Sequence, residues 1–215
     1  MDGELLQIFL HDLNSPLTAI RMLVELMNGG DDPETARDVL DMREALDLAS
    51  ATIEGLAALR RIDSDIEDPT WFPLDLGPIV REAASRPALR RGVEVHDFPS
   101  LPASGDRVAL VQAVTDILFT ARRMAEPGQP VVVEAQKGED GVLVQVHVPG
   151  PGVPESVRDQ LFEVDGAVAL RRMKLPTTVF GLAVARRVLV RHRGTLDVSD
   201  APGGGLHISF RLPGR

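Results

Sequence analysis

Seven apolar residues near the start of the chain, Leu6, Leu10, Leu13, Leu17, Ile20, Val24 and Met27, stand 4, 3, 4, 3, 4 and 3 positions apart. That rhythm keeps one apolar seam along a helix, and such a seam has to be buried against other helices. Asn28-Gly29-Gly30-Asp31 then supplies turn chemistry, with Asp32 placed to cap a second helix and Pro33 at its first position, where a missing N–H costs nothing. The second helix carries Val39, Met42, Leu46, Ala49, Ile53 and Leu56, again at steps of 3 and 4, and is expected to run to about Asp63. A lone helical hairpin of this kind leaves much apolar surface wet. The direct expectation is therefore a homodimer in which two hairpins form a four-helix bundle.

A chain of 215 residues has room for such a hairpin and one further domain. Apolar residues make up 44% and charged residues 26%, the balance of a globular protein, and no apolar run is long enough to span a bilayer. With no basic, apolar leader either, the expected location is cytoplasmic, with no membrane contact. The absence of cysteine excludes disulfides and thiolate metal sites. A formal charge of −9 works against nucleic acid as a partner, because phosphate binding draws on clustered Lys and Arg. The arginine pairs, such as Arg60-Arg61 and Arg122-Arg123, are scattered among acids and suit solvated helix faces.

Asp68-Pro69-Thr70-Trp71-Phe72-Pro73 disfavours helix and marks a linker, which divides the chain into a hairpin domain over 1–67 and a second domain over 71–215. In the second domain the patterns predict helices over Leu76–Leu89, Arg107–Met124, near Arg158 and over Phe180–His192. They predict strands over Val93–Phe98, Val131–Ala135, Val142–Val148, Thr195–Val198 and Leu206–Leu212, the last two joined by the turn Ala201-Pro202-Gly203-Gly204-Gly205. The expected class is thus α plus α/β, a dimerising helical hairpin followed by a two-layer α/β sandwich.

With Leu10 and Leu13 facing inward, His11 falls on the solvated flank of the first helix, where an incoming protein can reach its ring. Pro16 cannot donate to the carbonyl of Asp12, so the helix should bend one turn beyond the histidine. Neutral imidazole is a good nucleophile toward phosphorus, and Asp12 beside it can orient the ring or take its proton. The run His11-Asp12-Leu13-Asn14-Ser15-Pro16-Leu17 resembles the phospho-accepting box of bacterial two-component histidine kinases. Ala19, Met22 and Leu26 lie off the seam and make the outer face of this helix more apolar than a solvated helix needs, as a docking face would be. The resemblance implies that the partner docking there is a response-regulator receiver domain, whose aspartate exchanges phosphoryl with His11. Mg²⁺ is then expected on the partner, and no cofactor or metal on this chain.

The order of elements in the second domain looks like the catalytic and ATP-binding domain of the same kinases, and Leu161-Phe162-Glu163, Gly181-Leu182-Ala183 and His192-Arg193-Gly194 fit that pattern. Its ATP-site motifs are altered. The family places asparagines four apart on one helix face to hold Mg²⁺ and phosphates, where this chain has Asp116 and Thr120. The family's Asp-x-Gly-x-Gly, whose carboxylate accepts from the adenine amino group, reads Val148-Pro149-Gly150-Pro151-Gly152 here. The glycine-rich phosphate loop survives only as Thr177-Thr178-Val179-Phe180-Gly181. At about 1–3 kcal/mol for each lost partner, the three changes are expected to weaken nucleotide binding by on the order of a thousandfold. Without the family, Gly150-Pro151-Gly152 is a rigid turn. His96, His147, His192 and His207 lack metal-ligand spacing and are expected to be structural.

The function expected from these residues is a dimeric histidine phosphotransferase that moves a phosphoryl group between receiver aspartates through His11, without ATP. His11 is the nucleophile, Asp12 the orienting acid or base, and Ser15 a hydrogen-bonding aid in hydrolysis of a partner's aspartyl phosphate. Two alternatives stand beside it: a sensorless cytoplasmic histidine kinase with an unconventional ATP site, and a non-catalytic module that binds a response regulator.

Overall fold

Val142, Val144, Val146 and Val148 alternate with Gly141, Leu143, Gln145 and His147, and Leu206, Ile208, Phe210 and Leu212 alternate in the same way with more polar neighbours. In the computed structural model the eight apolar residues are all buried on one face of a sheet, as a period of two requires. The structure describes residues 17–27, 32–63, 71–163, 166, 170 and 181–214.

The elements run α1 (17–26), α2 (Pro33–Asp63), β1 (Phe72–Asp75), α3 (Leu76–Ala84), β2 (Val93–Val95), β3 (Pro102–Gly105) and α4 (Arg107–Met124). They continue with β4 (Val131–Gly138), β5 (Gly141–Val148), a 3-10 helix (Glu155–Phe162), α5 (Gly181–Arg191), β6 (Thr195–Asp200) and β7 (Leu206–Pro213). Five strands form one sheet in the order β2-β4-β5-β7-β6; β2 lies parallel to β4 and the other pairs are antiparallel. Helices α3, α4 and α5 bury Ile79, Ile117 and Leu189 in the core that this sheet helps to form. The opposite face bears Gln145, His147, Ser209 and Arg211, so the domain has two layers. At the β4–β5 turn Gly141 has φ +139°, and a Cβ there would lie 2.1 Å from the carbonyl oxygen of Leu212, so only glycine fits.

Several boundaries differ from expectation. The helix predicted to reach Leu89 ends at Ala84, where the Ser85 hydroxyl donates to the Glu82 carbonyl at 2.7 Å and Pro87 restricts Arg86. The segment near Arg158 is a 3-10 helix. The predicted strand Val93–Phe98 is regular only to Val95, two residues before the approach to Pro99. Strands β1 and β3 were not expected, because each carries a proline; they pair only with one another, Phe72 opposite Gly105 and Asp75 opposite Pro102.

In the helical region Leu17 and Val24 pack against Val39 and Leu46, and the backbone N–H of Thr35 donates to Asp32 Oδ2 at 3.0 Å, the expected cap. Ile20, Met27 and Met42, members of the same seams, stay exposed in a single copy. Beyond its middle, α2 packs on α4 and α5, so that Ala51 joins the core of the α/β domain.

Candidate functional site

Helix α4 starts where Asp106 caps it, Oδ1 accepting from the N–H groups of Val108 and Ala109 at 2.8 and 3.1 Å. A run of apolar residues carries the helix through the core, and its middle presents the polar residues Gln112, Thr115, Asp116 and Thr120. Gln112 Nε2 donates to Asp116 Oδ1 at 3.0 Å, and the Thr120 hydroxyl donates to the Asp116 carbonyl at 2.8 Å. Asp116 Oδ2 is buried and has no hydrogen-bond partner, and neither has the Thr115 hydroxyl. Burial pushes the Asp116 carboxyl well above the ordinary carboxylate range; the Gln112 amide opposes the shift, Glu54 adds to it and Arg86 counters. A buried carboxyl whose proton affinity is raised is therefore set into this helix; the four-residue spacing singled out Asp116 and Thr120, and nothing in it pointed to Gln112 and Thr115 beside them.

The end of β5 abuts the end of α4. The Glu126 N–H donates to the Pro149 carbonyl at 2.8 Å, and Val148, 2% exposed, closes the strand with an apolar side chain. Gly150 and Gly152 have φ +146° and +78°, conformations that L side chains rarely adopt, so the turn requires glycine at both positions. Gly205 lies against the same turn: a Cβ on it would stand 2.3 Å from the Val148 carbonyl oxygen. Leu182, in the first turn of α5, is buried nearby in the core. The altered glycine loop at Thr177, Thr178, Val179 and Phe180 lies outside the described residues.

His11, Asp12 and Ser15 also lie outside them. Ala19, Met22 and Leu26 are on α1 and exposed, Met22 at 62% and Leu26 at 78%. Asp116 and Thr120 lie one turn apart on α4, with the Thr120 hydroxyl donating to the Asp116 carbonyl. No group of three metal-ligating side chains gathers among the described residues.

The remaining histidines hold structure together. His192 is buried; Nε2 accepts from the Asp106 N–H at 3.0 Å and Nδ1 meets the Val188 carbonyl at 2.7 Å, which ties the end of α5 to the start of α4. On the open face of the sheet Glu134 bridges His96 and His147 at 3.1 and 3.2 Å, and the His147 and His207 rings meet edge to face at 4.1 Å.

Comparison with known proteins identifies the lineage of this α/β domain. The family model described as Histidine kinase-, DNA gyrase B-, and HSP90-like ATPase matches residues 105–215, from the end of β3 through β7. The chain is 32% identical to the probable sensor histidine kinase TcrY of Mycobacterium tuberculosis over 94% of its own length and 44% of that protein. Among solved structures it is similar to the mycobacterial sensor histidine kinase MprB, with TM-score 0.57 and 28% identity over 68% of this chain and 99% of that one. The ATP binding domain of PrrB from Mycobacterium tuberculosis gives TM-score 0.52 and 25% identity over 69% and 99% of the two chains. The chain thus spans less than half the length of its curated relative. These likenesses overturn the expectation of an ATP-independent phosphotransferase: the matched family is one of ATPases and the relatives are kinases. That expectation rested on three altered motifs taken one by one, whereas the family match rests on the pattern of the whole 105–215 segment. The chain belongs to the histidine kinase-, DNA gyrase B- and HSP90-like ATPase family, as a histidine kinase-like member of it.

Proposed function

We propose that the chain is the transmitter portion of a sensor histidine kinase, binding ATP in the α/β domain and passing its γ-phosphoryl group to His11. The observation that supports this most is the ATPase family match over 105–215, which covers α4 with Asp116 and the Val148–Gly152 turn. In the reaction a neutral imidazole nitrogen of His11 attacks the γ-phosphorus, an N–P bond forms, the bond to the bridging β,γ oxygen breaks, and ADP leaves. The displaced ring proton goes to Asp12 or to water. Asp116, as a neutral acid, hydrogen-bonds where the family carries an amide. The site is unconventional in its base contacts, because Val148 accepts no hydrogen bond and adenine is held there by shape more than by a specifying carboxylate.

The likeness to two-component kinases supports a homodimer built through the exposed seam residues Ile20, Met27 and Met42, and a response-regulator receiver domain as the phosphoryl acceptor. Ala19, Met22 and Leu26 are the proposed docking face for that receiver, and the helical pair is proposed as the dimerising, phospho-accepting hairpin. No helix among the described residues is long and apolar enough to cross a membrane, and a cytoplasmic position is proposed for this region.

The test is incubation with γ-labelled ATP. Acid-labile label on the wild type, absent from His11→Gln, is expected. A folded protein that neither binds ATP in calorimetry nor takes up label would sink the reading.

A further inference from the structure

The sheet face turned away from the helices gathers three of the five histidines. His147 of β5 stands directly opposite His207 of β7, and their rings meet edge to face at 4.1 Å. Glu134 of β4 reaches His147 Nε2 at 3.2 Å through one oxygen and His96 Nδ1, just past β2, at 3.1 Å through the other. Other charged groups on this face among the described residues are Glu94 of β2, Arg211 of β7 and Asp197 of β6, which lies opposite Ser209. From β6 the residue opposite His207 is Ser199, and Asp200 at the strand's end is engaged by Arg158. On the next rung beyond the two histidines Val148 faces Leu206, and past it Gly205 lies so close that a Cβ would stand 2.3 Å from the Val148 carbonyl oxygen. The imidazole pair is therefore the last polar rung before the glycine turn that follows Val148.

We propose that the His147–His207 pair is a proton-operated clasp on the end of the β5–β7 ladder, closed when both rings are neutral and opened by protonation; on the reading that adenine lies at Val148, it also makes ATP binding weaken in acid. Two neutral rings edge to face attract one another. A proton on His147 is balanced by Glu134, but a second on His207 sets two cations directly opposite each other across antiparallel strands, where like charges destabilise the pairing. The strain falls on the adjoining rung, because His147 precedes Val148 in the chain and Leu206 precedes His207. Burial and the His147 ring hold the His207 imidazole below its ordinary range, with Glu134 opposing them. The closed form is therefore favoured above the unfolded value near 6.5, and that contribution is lost as pH falls through the folded one.

His207→Gln keeps a polar side chain and removes the titrating ring, and His147→Gln does the same from the facing strand. Hydrogen exchange, corrected for the intrinsic effect of pH, is read over 146–148 and 205–208, with Val144 and Phe210 farther along the same ladder as the internal reference. Between pH 7.5 and 5.5 exchange at the strand ends should quicken by on the order of tenfold in the wild type and far less in either variant, within the roughly tenfold per pH unit that coupling to one proton allows. Over the same interval ATP affinity in calorimetry should fall about fivefold more in the wild type than in the variants, a comparison that cancels the titration of ATP itself. An equal pH response of exchange in all three proteins overturns the clasp. A response of exchange confined to the wild type, with ATP affinity varying alike in all three, overturns the coupling to the nucleotide. No ATP binding by any of them at pH 7.5 overturns the nucleotide-binding reading and the coupling with it, while the exchange difference by itself upholds the clasp.

Discussion

Asp116 illustrates how a single side chain takes its chemistry from its surroundings. Its folded pKa is raised by burial, so the neutral acid stabilises the fold at low pH and that stability is lost as pH rises through the folded value. Asp116→Asn removes the penalty. Its melting temperature should gain on wild type progressively as pH rises above the unfolded value near 3.8, by the equivalent of about 1–3 kcal/mol once the rise is complete, the usual cost of an uncompensated buried polar group; a difference that does not change with pH would refute the assignment. His192 is the opposite case, with both ring nitrogens satisfied. His192→Ala leaves the Asp106 N–H without its partner and opens a cavity between α4, α5 and β3, and chemical denaturation should show a loss of about 2–4 kcal/mol. The sequence named Asp116 and Thr120 through their four-residue spacing and placed His192 among structural histidines. It carried no sign of Gln112 as the partner of Asp116, because a glutamine on a helix face looks the same whether it meets solvent or a carboxyl.

Among the elements, the β1–α3 junction depends on Asp75. Its Oδ1 accepts from the N–H groups of Gly77 and Leu101 at 2.9 and 3.0 Å, and Oδ2 accepts from the Ser100 hydroxyl at 2.8 Å. Burial pushes this carboxyl up, but the three hydrogen bonds outweigh it and the pKa is lowered. Its contribution is therefore present above the unfolded value near 3.8 and disappears as pH falls through the folded one. Asp75→Ala should cost about 1–2 kcal/mol at neutral pH, and the difference from wild type should shrink in strong acid, measured by urea denaturation across pH. The strands β4, β5, β6 and β7 were legible because a period of two with valine, isoleucine and leucine on one side has few other meanings. β1 and β3 were not, since Pro73 and Pro102 argue against strands and only their mutual pairing, 30 residues apart in register, makes them so.

For the whole molecule, the apolar residues Ile20, Met27 and Met42 of the helical pair are exposed among the described residues. Ile20→Glu should convert a dimer to a monomer in sedimentation while the melting of the α/β domain stays within about 0.5 kcal/mol of wild type, as for a surface change away from the core; a persistent dimer would place the interface elsewhere. The amino-acid order alone determined the sheet's inward face and the kinase-like pattern of the α/β domain, because both are written in short-range periodicity and turn chemistry. It misled on ATP, since three altered motifs read as loss of the nucleotide, whereas the matched family is one of ATPases and the relatives are kinases. Only the tertiary structure decided that α2 packs on α4 and α5, and that Asp47 reaches the amide of Ala88, 41 residues away. Contacts at that separation depend on where two domains come to rest, and no local pattern of residues encodes that.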